Sequence, residues 1–302
     1  MKTQLRLFLL GTVTTLLAGN IFCTQLLAAG GMRVQRNVIY LKQAQDKFRA
    51  TSLDVYAPEQ GDNYPVVIWV HGGGWKLGNK ADVHLKPRAF TQAGYVLVSI
   101  NYRLHPRTDV SGQASDVAAA VKWVTKNIAK YAGNKNRISL MGHSAGAHLC
   151  ALIGTDEHYL KEQHLSFSNL QGIILLDGAC YDVEQHINDI PEQFFKSLFI
   201  SVFTSDVKIQ RSVSPTLQIS SQSKMPPFLI IYIAERNDSR KQSHSLAAAI
   251  KRAGGTAEIH AARGENHATL NLTLGMPTKP ATKWVFDFFD TVSPASKSAP
   301  GE

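Results

Sequence analysis

The run Arg137-Ile138-Ser139-Leu140-Met141-Gly142-His143-Ser144-Ala145-Gly146-Ala147-His148-Leu149-Cys150-Ala151-Leu152-Ile153 decides the architecture of this chain. Residues 137–141 read as a short apolar strand and residues 147–153 as a helix, so Gly142-His143-Ser144-Ala145-Gly146 is the turn between them. Small residues flank the serine because a Cβ would clash in so tight a turn, which pushes the hydroxyl out at the top of a sheet. The helix that opens at the serine adds a field favouring negative charge nearby. A G-x-S-x-G string alone arises by chance. With a strand before it and a helix after it, it reads as a nucleophile elbow.

Working upstream, Tyr64-Pro65-Val66-Val67-Ile68-Trp69-Val70 has the pattern of a buried strand, and His71-Gly72-Gly73-Gly74-Trp75 follows it. Successive glycines let backbone N–H groups converge on one point, which is what a tetrahedral oxyanion requires. The expected donors are the amides of Gly73 and Gly74, joined by that of Ala145 after the serine. Trp75 and His143 are the residues expected beside the substrate. Trp75 also suits the core, and a histidine inside an elbow more often packs beside the serine than reacts.

A serine nucleophile of this kind takes its partners in the chain order serine, acid, histidine. His267, in Gly264-Glu265-Asn266-His267, falls in a loop between a strand-like run at 257–261 and a helix opening near Pro280. It is the expected general base, able to take the Ser144 proton and return it to the leaving alcohol. His71 suits a brace for the glycine loop, while His148 and His260 suit packing. His84, His105, His158, His164, His186 and His244 do not fit the third position of the order. For the acid, Pro226-Pro227-Phe228-Leu229-Ile230-Ile231-Tyr232-Ile233-Ala234 reads as a core strand, and Glu235-Arg236-Asn237-Asp238 leaves its carboxyl end. Asp238 is the expected partner of His267, with Glu235 as the alternative. Either carboxylate could instead cap a helix expected over 242–253.

Together these residues resemble the α/β-hydrolase family, and more narrowly its small esterase branch. That branch includes bifunctional feruloyl and acetyl-xylan esterase-like domains, carboxylesterases and kynurenine formamidase-like enzymes. The resemblance covers 53–289, including Leu53-Asp54-Val55-Tyr56-Ala57-Pro58, Asn101-Tyr102-Arg103-Leu104, the helix-like run from Asp116 to Val124, and His267-Ala268-Thr269-Leu270-Asn271. It implies a mostly parallel sheet with helices on both faces, and carboxylic-ester hydrolysis without a cofactor. Many relatives carry His-Gly four and three residues before the acid, where this chain has Ala234-Glu235, so the acid loop is expected to be reshaped.

With 302 residues and strand signals alternating with helical runs throughout, one α/β domain is expected, spanning 30–302. Strands are expected at 35–40, 51–56, 66–70, 95–100, 137–141, 172–176, 228–234 and 257–261, the first two antiparallel at the sheet edge. Helices are expected at 111–132, 144–154, 242–253 and 280–292. The patternless stretch 179–224, with Tyr181, Phe194, Phe195, Phe199 and Phe203, reads as a small cap, and 293–302 as a disordered tail. Lys2 and Arg6, the apolar run from Leu7 to Ala18, and Ala28-Ala29-Gly30 read as a cleavable export signal over 1–29. A periplasmic or secreted location follows as an expectation, with no stable membrane span after its removal.

The net charge of +9 comes from 32 basic and 23 acidic residues, scattered without a dense run or nucleic-acid motif, so no nucleic-acid partner is expected. No Cys/His spacing suggests a metal site, and Cys150 and Cys180 are expected as free, half-buried thiols. The expected function is a serine hydrolase acting on small or aryl carboxylic esters through an acyl-enzyme. Amide cleavage by the same triad, as amidase, formamidase or peptidase, is the alternative within enzymes. A catalytically silent exported binding protein is the alternative outside them.

Overall fold

Short runs of Val, Ile and Leu become strands buried on both faces when helices cover both sides of a parallel sheet. The computed structural model describes residues 31–42, 50–191, 193–221 and 224–293, and the expected export signal lies outside them. Its elements are β1 (Met32–Ile39), β2 (Ser52–Pro58), β3 (Tyr64–Val70), α1 (Lys86–Gln92), β4 (Val96–Ile100) and α2 (Val110–Asn127). There follow β5 (Gly133–His143), α3 (Ala145–Thr155), α4 (His158–Glu162) and β6 (Gly172–Leu176). Next come α5 (Val183–Asp189), α6 (Gln193–Phe203), α7 (Val207–Ser212), α8 (Pro215–Gln218) and β7 (Phe228–Ile233). The chain continues through α9 (Asn237–Arg252), β8 (Ala257–Ala262), α10 (His267–Thr273) and α11 (Pro280–Val292).

The eight strands form one sheet in the order β1-β2-β4-β3-β5-β6-β7-β8. β1 and β2 are antiparallel to their neighbours and all other pairs are parallel, as expected for the opening strands. Alternation along each strand divides the core in two. Val66, Ile68 and Val70 of β3 face a cluster containing Val117, Val121, Leu149 and Leu246. Val67 and Trp69 face the opposite cluster with Phe90, Val285, Phe288 and Phe289. Each strand residue thus serves one layer of helices.

From β3 the chain turns one way to β4, and from β5 it turns the other way to β6. This reversal opens a crevice at the carboxyl ends of β3 and β5, where ligands bind in open α/β sheets. The register sets Val70 beside Gly142, His143 beside Leu176, and Leu176 beside Ile231. Residues 71, 144 and 177 therefore emerge at one level. The stretch between β6 and β7 folds as the four helices α5 to α8.

Several boundaries differ from the sequence reading: β1 begins at Met32 rather than 35, β5 at Gly133 rather than 137, and α2 ends at Asn127 rather than 132. α9 begins at Asn237, five residues before the expected start at 242, because its polar first turn is engaged with neighbouring side chains. His267 opens a helix, α10, instead of lying in a loop. Cys150 and Cys180 are free as expected, but both are fully buried.

Candidate active site

Ser144 stands between β5 and α3 with φ 56° and ψ −121°, a strained conformation for a residue bearing a Cβ. The turn is held shut by close backbone approach: a Cβ on Gly146 would lie 2.1 Å from the Val70 carbonyl oxygen. Nothing larger than glycine fits there, so β3 and the serine turn are locked against each other. Across the crevice, Gly73 adopts φ 121°, and a Cβ there would lie 2.2 Å from the Leu77 carbonyl oxygen. The amides of Gly73, Gly74 and Ala145 have no protein acceptor among the described residues. His71 steadies the loop by stacking on Tyr102 at 4.4 Å, and the Tyr102 hydroxyl donates to the His71 carbonyl at 2.9 Å.

His267 is presented by the first turn of α10. Asn266 caps this helix by accepting from the amides of Ala268 and Thr269, and its own amide donates to the Thr269 hydroxyl. Lys86 of α1, fully buried, donates to the main-chain and side-chain oxygens of Asn271 at 2.8 Å each, and its ammonium lies 4.2 Å from the Trp69 ring centre. Burial pushes the Lys86 ammonium down to about 7, with Asp82 opposing. His143 lies under the same element, where its Nε2 donates to the His267 carbonyl at 2.9 Å. Burial and the neighbouring His267 push its imidazole down to about 3, so it is neutral at pH 7.

The two elements bring Ser144 Oγ to 3.0 Å from His267 Nε2. On the other side of the ring, Nδ1 lies 2.6 Å from Oδ2 of Asp177, the residue that follows β6. Asp177 is completely buried and its carboxylate is surrounded by donors. Oδ1 accepts from the Ser239 hydroxyl at 2.6 Å and the Ile233 amide at 3.1 Å, and Oδ2 accepts from Arg236 Nη1 at 2.5 Å. Burial alone would raise this carboxyl, but His267, the Arg236 charge, Ser239 and the Ile233 amide together hold it well below the usual carboxylate range.

Asp238 and Glu235 are not brought to His267. The early start of α9 puts Asp238 in its first turn, 44% exposed, where Oδ2 accepts from Arg236 Nη2 at 2.7 Å. Glu235 is exposed in the turn before the helix. Arg236 bridges the two aspartates and sets Nη1 2.8 Å from His267 Nδ1. A guanidinium only donates, so Nδ1 either accepts from Arg236 or donates to Asp177. The ionised carboxylate is the closer and stronger partner. We assign the proton to Nδ1, which leaves the Nε2 lone pair facing the serine hydroxyl. Asp177 was legible only indirectly: it closes the apolar run Gly172-Ile173-Ile174-Leu175-Leu176, and β6 is the strand beside β5.

Above Ser144 lies a cleft of about 380 Å³ lined by Gly73, Gly74, Trp75, Ala145, Phe199 and Val202 among others. Trp75 therefore borders it, packed edge-on against Phe203 and His148. His143 does not border it, since its ring is 6% exposed and occupied beneath His267. The expected substrate contact at His143 is thus replaced by a bracing one. His148 and His260 pack as expected, the first bonded to the Val213 carbonyl at 2.9 Å and the second stacked on Trp284.

A family model described as BD-FAE matches residues 53–250. Isoprenylcysteine alpha-carbonyl methylesterase ICME of Arabidopsis thaliana is 27% identical over 254 residues, covering 80% of this chain and 58% of the relative. Esterase LipQ of Mycobacterium tuberculosis (strain ATCC 25618 / H37Rv) is 26% identical over 245 residues, covering 77% and 56%. The chain thus spans a little over half the length of these curated relatives. Among solved structures, esterase 2 of Thermogutta terrifontis phosphonylated by sarin superposes with TM-score 0.71 at 21% identity, covering 90% of this chain and 98% of that one. A truncated carbohydrate esterase from gut microbiota gives TM-score 0.71 at 23% identity, covering 87% and 96%. At such identities the structural likeness carries the fold.

Proposed function

The chain belongs to the BD-FAE family and has the α/β-hydrolase fold, and from that premise we propose that it hydrolyses carboxylic esters with Ser144 as nucleophile. The observation that carries this reading is the line Ser144 Oγ, His267 Nε2, His267 Nδ1, Asp177 Oδ2, with separations of 3.0 and 2.6 Å. His267 removes the serine proton as Oγ attacks the ester carbonyl, and Asp177 stabilises the imidazolium that forms. The amides of Gly73, Gly74 and Ala145 receive the oxyanion, each donor contributing about 3 kcal/mol to the transition state. His267 returns the proton to the departing alcohol. Water, activated by the same imidazole, then clears the acyl-enzyme.

Trp75, Phe199 and Val202 give the cleft apolar walls, which suits small or aryl acyl groups. Hydrolysis of p-nitrophenyl acetate tests the reading directly. Ser144→Ala should lower kcat by about 10⁴-fold or more. Turnover retained by that variant would remove Ser144 from the mechanism. Export is proposed on the strength of Lys2, Arg6 and the apolar run that follows. Amino-terminal sequencing of protein recovered outside the cytoplasm tests it, and an uncleaved terminus would contradict it.

A further inference from the structure

Beyond the cleft lies a second cavity, of about 560 Å³, which shares Phe199 and Arg236 with it. Its walls include Ile190, Pro191 and Phe199, which are apolar. Most of its polar groups are already engaged. Lys241 is paired with Asp189 at 2.6 Å, and Arg236 with Asp238 at 2.7 Å. The Asn237 side-chain oxygen accepts from Arg240, and that of Gln242 accepts from the Asp182 amide.

His186 of α5 is the exception. It is 3% exposed and lines this cavity, its ring set edge-on to Phe199 at 4.8 Å, yet neither ring nitrogen has a hydrogen-bond partner among the described residues. The ring nitrogens open onto the cavity space, so a molecule seated there can supply the bond. The Asp189 and Asp238 carboxylates are spoken for by their cations, so the group presented to a ligand is a neutral imidazole with one donor and one acceptor.

We propose that this cavity holds the alcohol half of the ester and selects uncharged leaving groups that carry a hydroxyl, which His186 hydrogen-bonds. The inference rests on the ester-hydrolase reading above and deepens it. The assignment to the alcohol side follows from proton delivery. The leaving oxygen departs toward His267 Nε2, which faces the cleft, and Phe199 and Arg236 form the wall common to both cavities. The acyl group then occupies the cleft between Trp75 and Val202. An anionic leaving group would find no unpaired cation here, and a purely hydrocarbon one would leave His186 unbonded.

The test uses butyrate monoesters of linear diols of three to six carbons beside butyrate esters of alkyl alcohols in which a methyl replaces the terminal hydroxyl. At one or more chain lengths the wild-type protein should favour the hydroxylated ester about tenfold in kcat/KM, the effect of one buried bond gained or lost. His186→Leu should reduce that preference to about twofold or less, and His186→Gln, which keeps a donor and an acceptor, should retain most of it. Absence of any preference in the wild type would overturn the proposal, as would a preference undiminished in His186→Leu. The same matched pair placed on the acyl side should show no such preference, and finding it there would overturn the alcohol assignment. Loss of all turnover in Ser144→Ala reports on the hydrolase reading alone, so the two failures are distinguishable.

Discussion

Ser144 and Asp177 share an uncommon backbone state, with φ of 56° and 43°, at the carboxyl ends of neighbouring strands. Residues held this way cost about 1–3 kcal/mol each and persist where the surroundings fix them. Here the fixing is visible: the Ser144 amide donates to the Leu176 carbonyl at 3.0 Å, and the Asp177 amide to the Ile231 carbonyl at 2.7 Å. Gly73 adopts φ 121° in a turn that no residue bearing a Cβ could take, which supports a first prediction. Gly73→Ala should lower kcat about 10²-fold or more by displacing an oxyanion donor, with the protein still folded by circular dichroism. Unchanged kcat would exclude this loop from the reaction. The serine, the histidine and the glycine loop were legible because each is a local pattern. Asp177 was not, because its role depends on which strands are neighbours, and Asp238 had the more familiar position after β7.

At the level of single elements, α10 holds the proposed base, His267, on a marginal helix. Seven residues are too few to be helical alone in water, so packing and capping must supply the order. Leu270 is buried, Asn266 and Thr269 close the capping box, Lys86 grips Asn271, and Lys279 pairs with Glu265 at 2.6 Å just before the helix. Asn266→Ala should cost about 1 kcal/mol of stability, measured by urea unfolding. It should also reduce kcat more than it raises KM, since His267 loses its fixed setting; a change in KM alone would contradict that. α9 teaches the complementary lesson. Its first turn, Asn237-Asp238-Ser239-Arg240-Lys241, has the composition of a loop, and it becomes helical because Ser239 reaches Asp177 while Arg236 ties down Asp238. Such partners are invisible to a local pattern.

For the molecule as a whole, the sheet order places two buried titratable groups, and stability rises with pH through each of them in separate windows. Asp177 has its folded value depressed, so its contribution is complete above the unfolded carboxylate value of about 3.9 and is lost as pH falls below it. Lys86 has its folded value lowered to about 7 against about 10.4 unfolded, so between these limits the unfolded chain binds the extra proton and stability rises with pH. Thermal midpoints from pH 3 to 10 should show both, and Lys86→Met should flatten the rise between about pH 7 and 10 relative to wild type. An identical slope in the variant would mean that Lys86 is not the group responsible. The general plan of the sheet was readable from its apolar runs, since strands buried on both faces leave that signature. The bridging of β6, β7 and α9 by Arg236 was not, because it joins residues 59 positions apart.

On the proposed mechanism Ser144 and His267 work with Asp177, and Asp238 stands outside that line. The most direct test is kcat/KM on p-nitrophenyl acetate for Asp177→Asn beside Asp238→Asn. Asp177→Asn should lose about 10⁴-fold through the wrong histidine tautomer, while Asp238→Asn should lose about tenfold or less, as a partner acting only through Arg236. Loss of activity in Asp238→Asn with Asp177→Asn little changed would contradict the account.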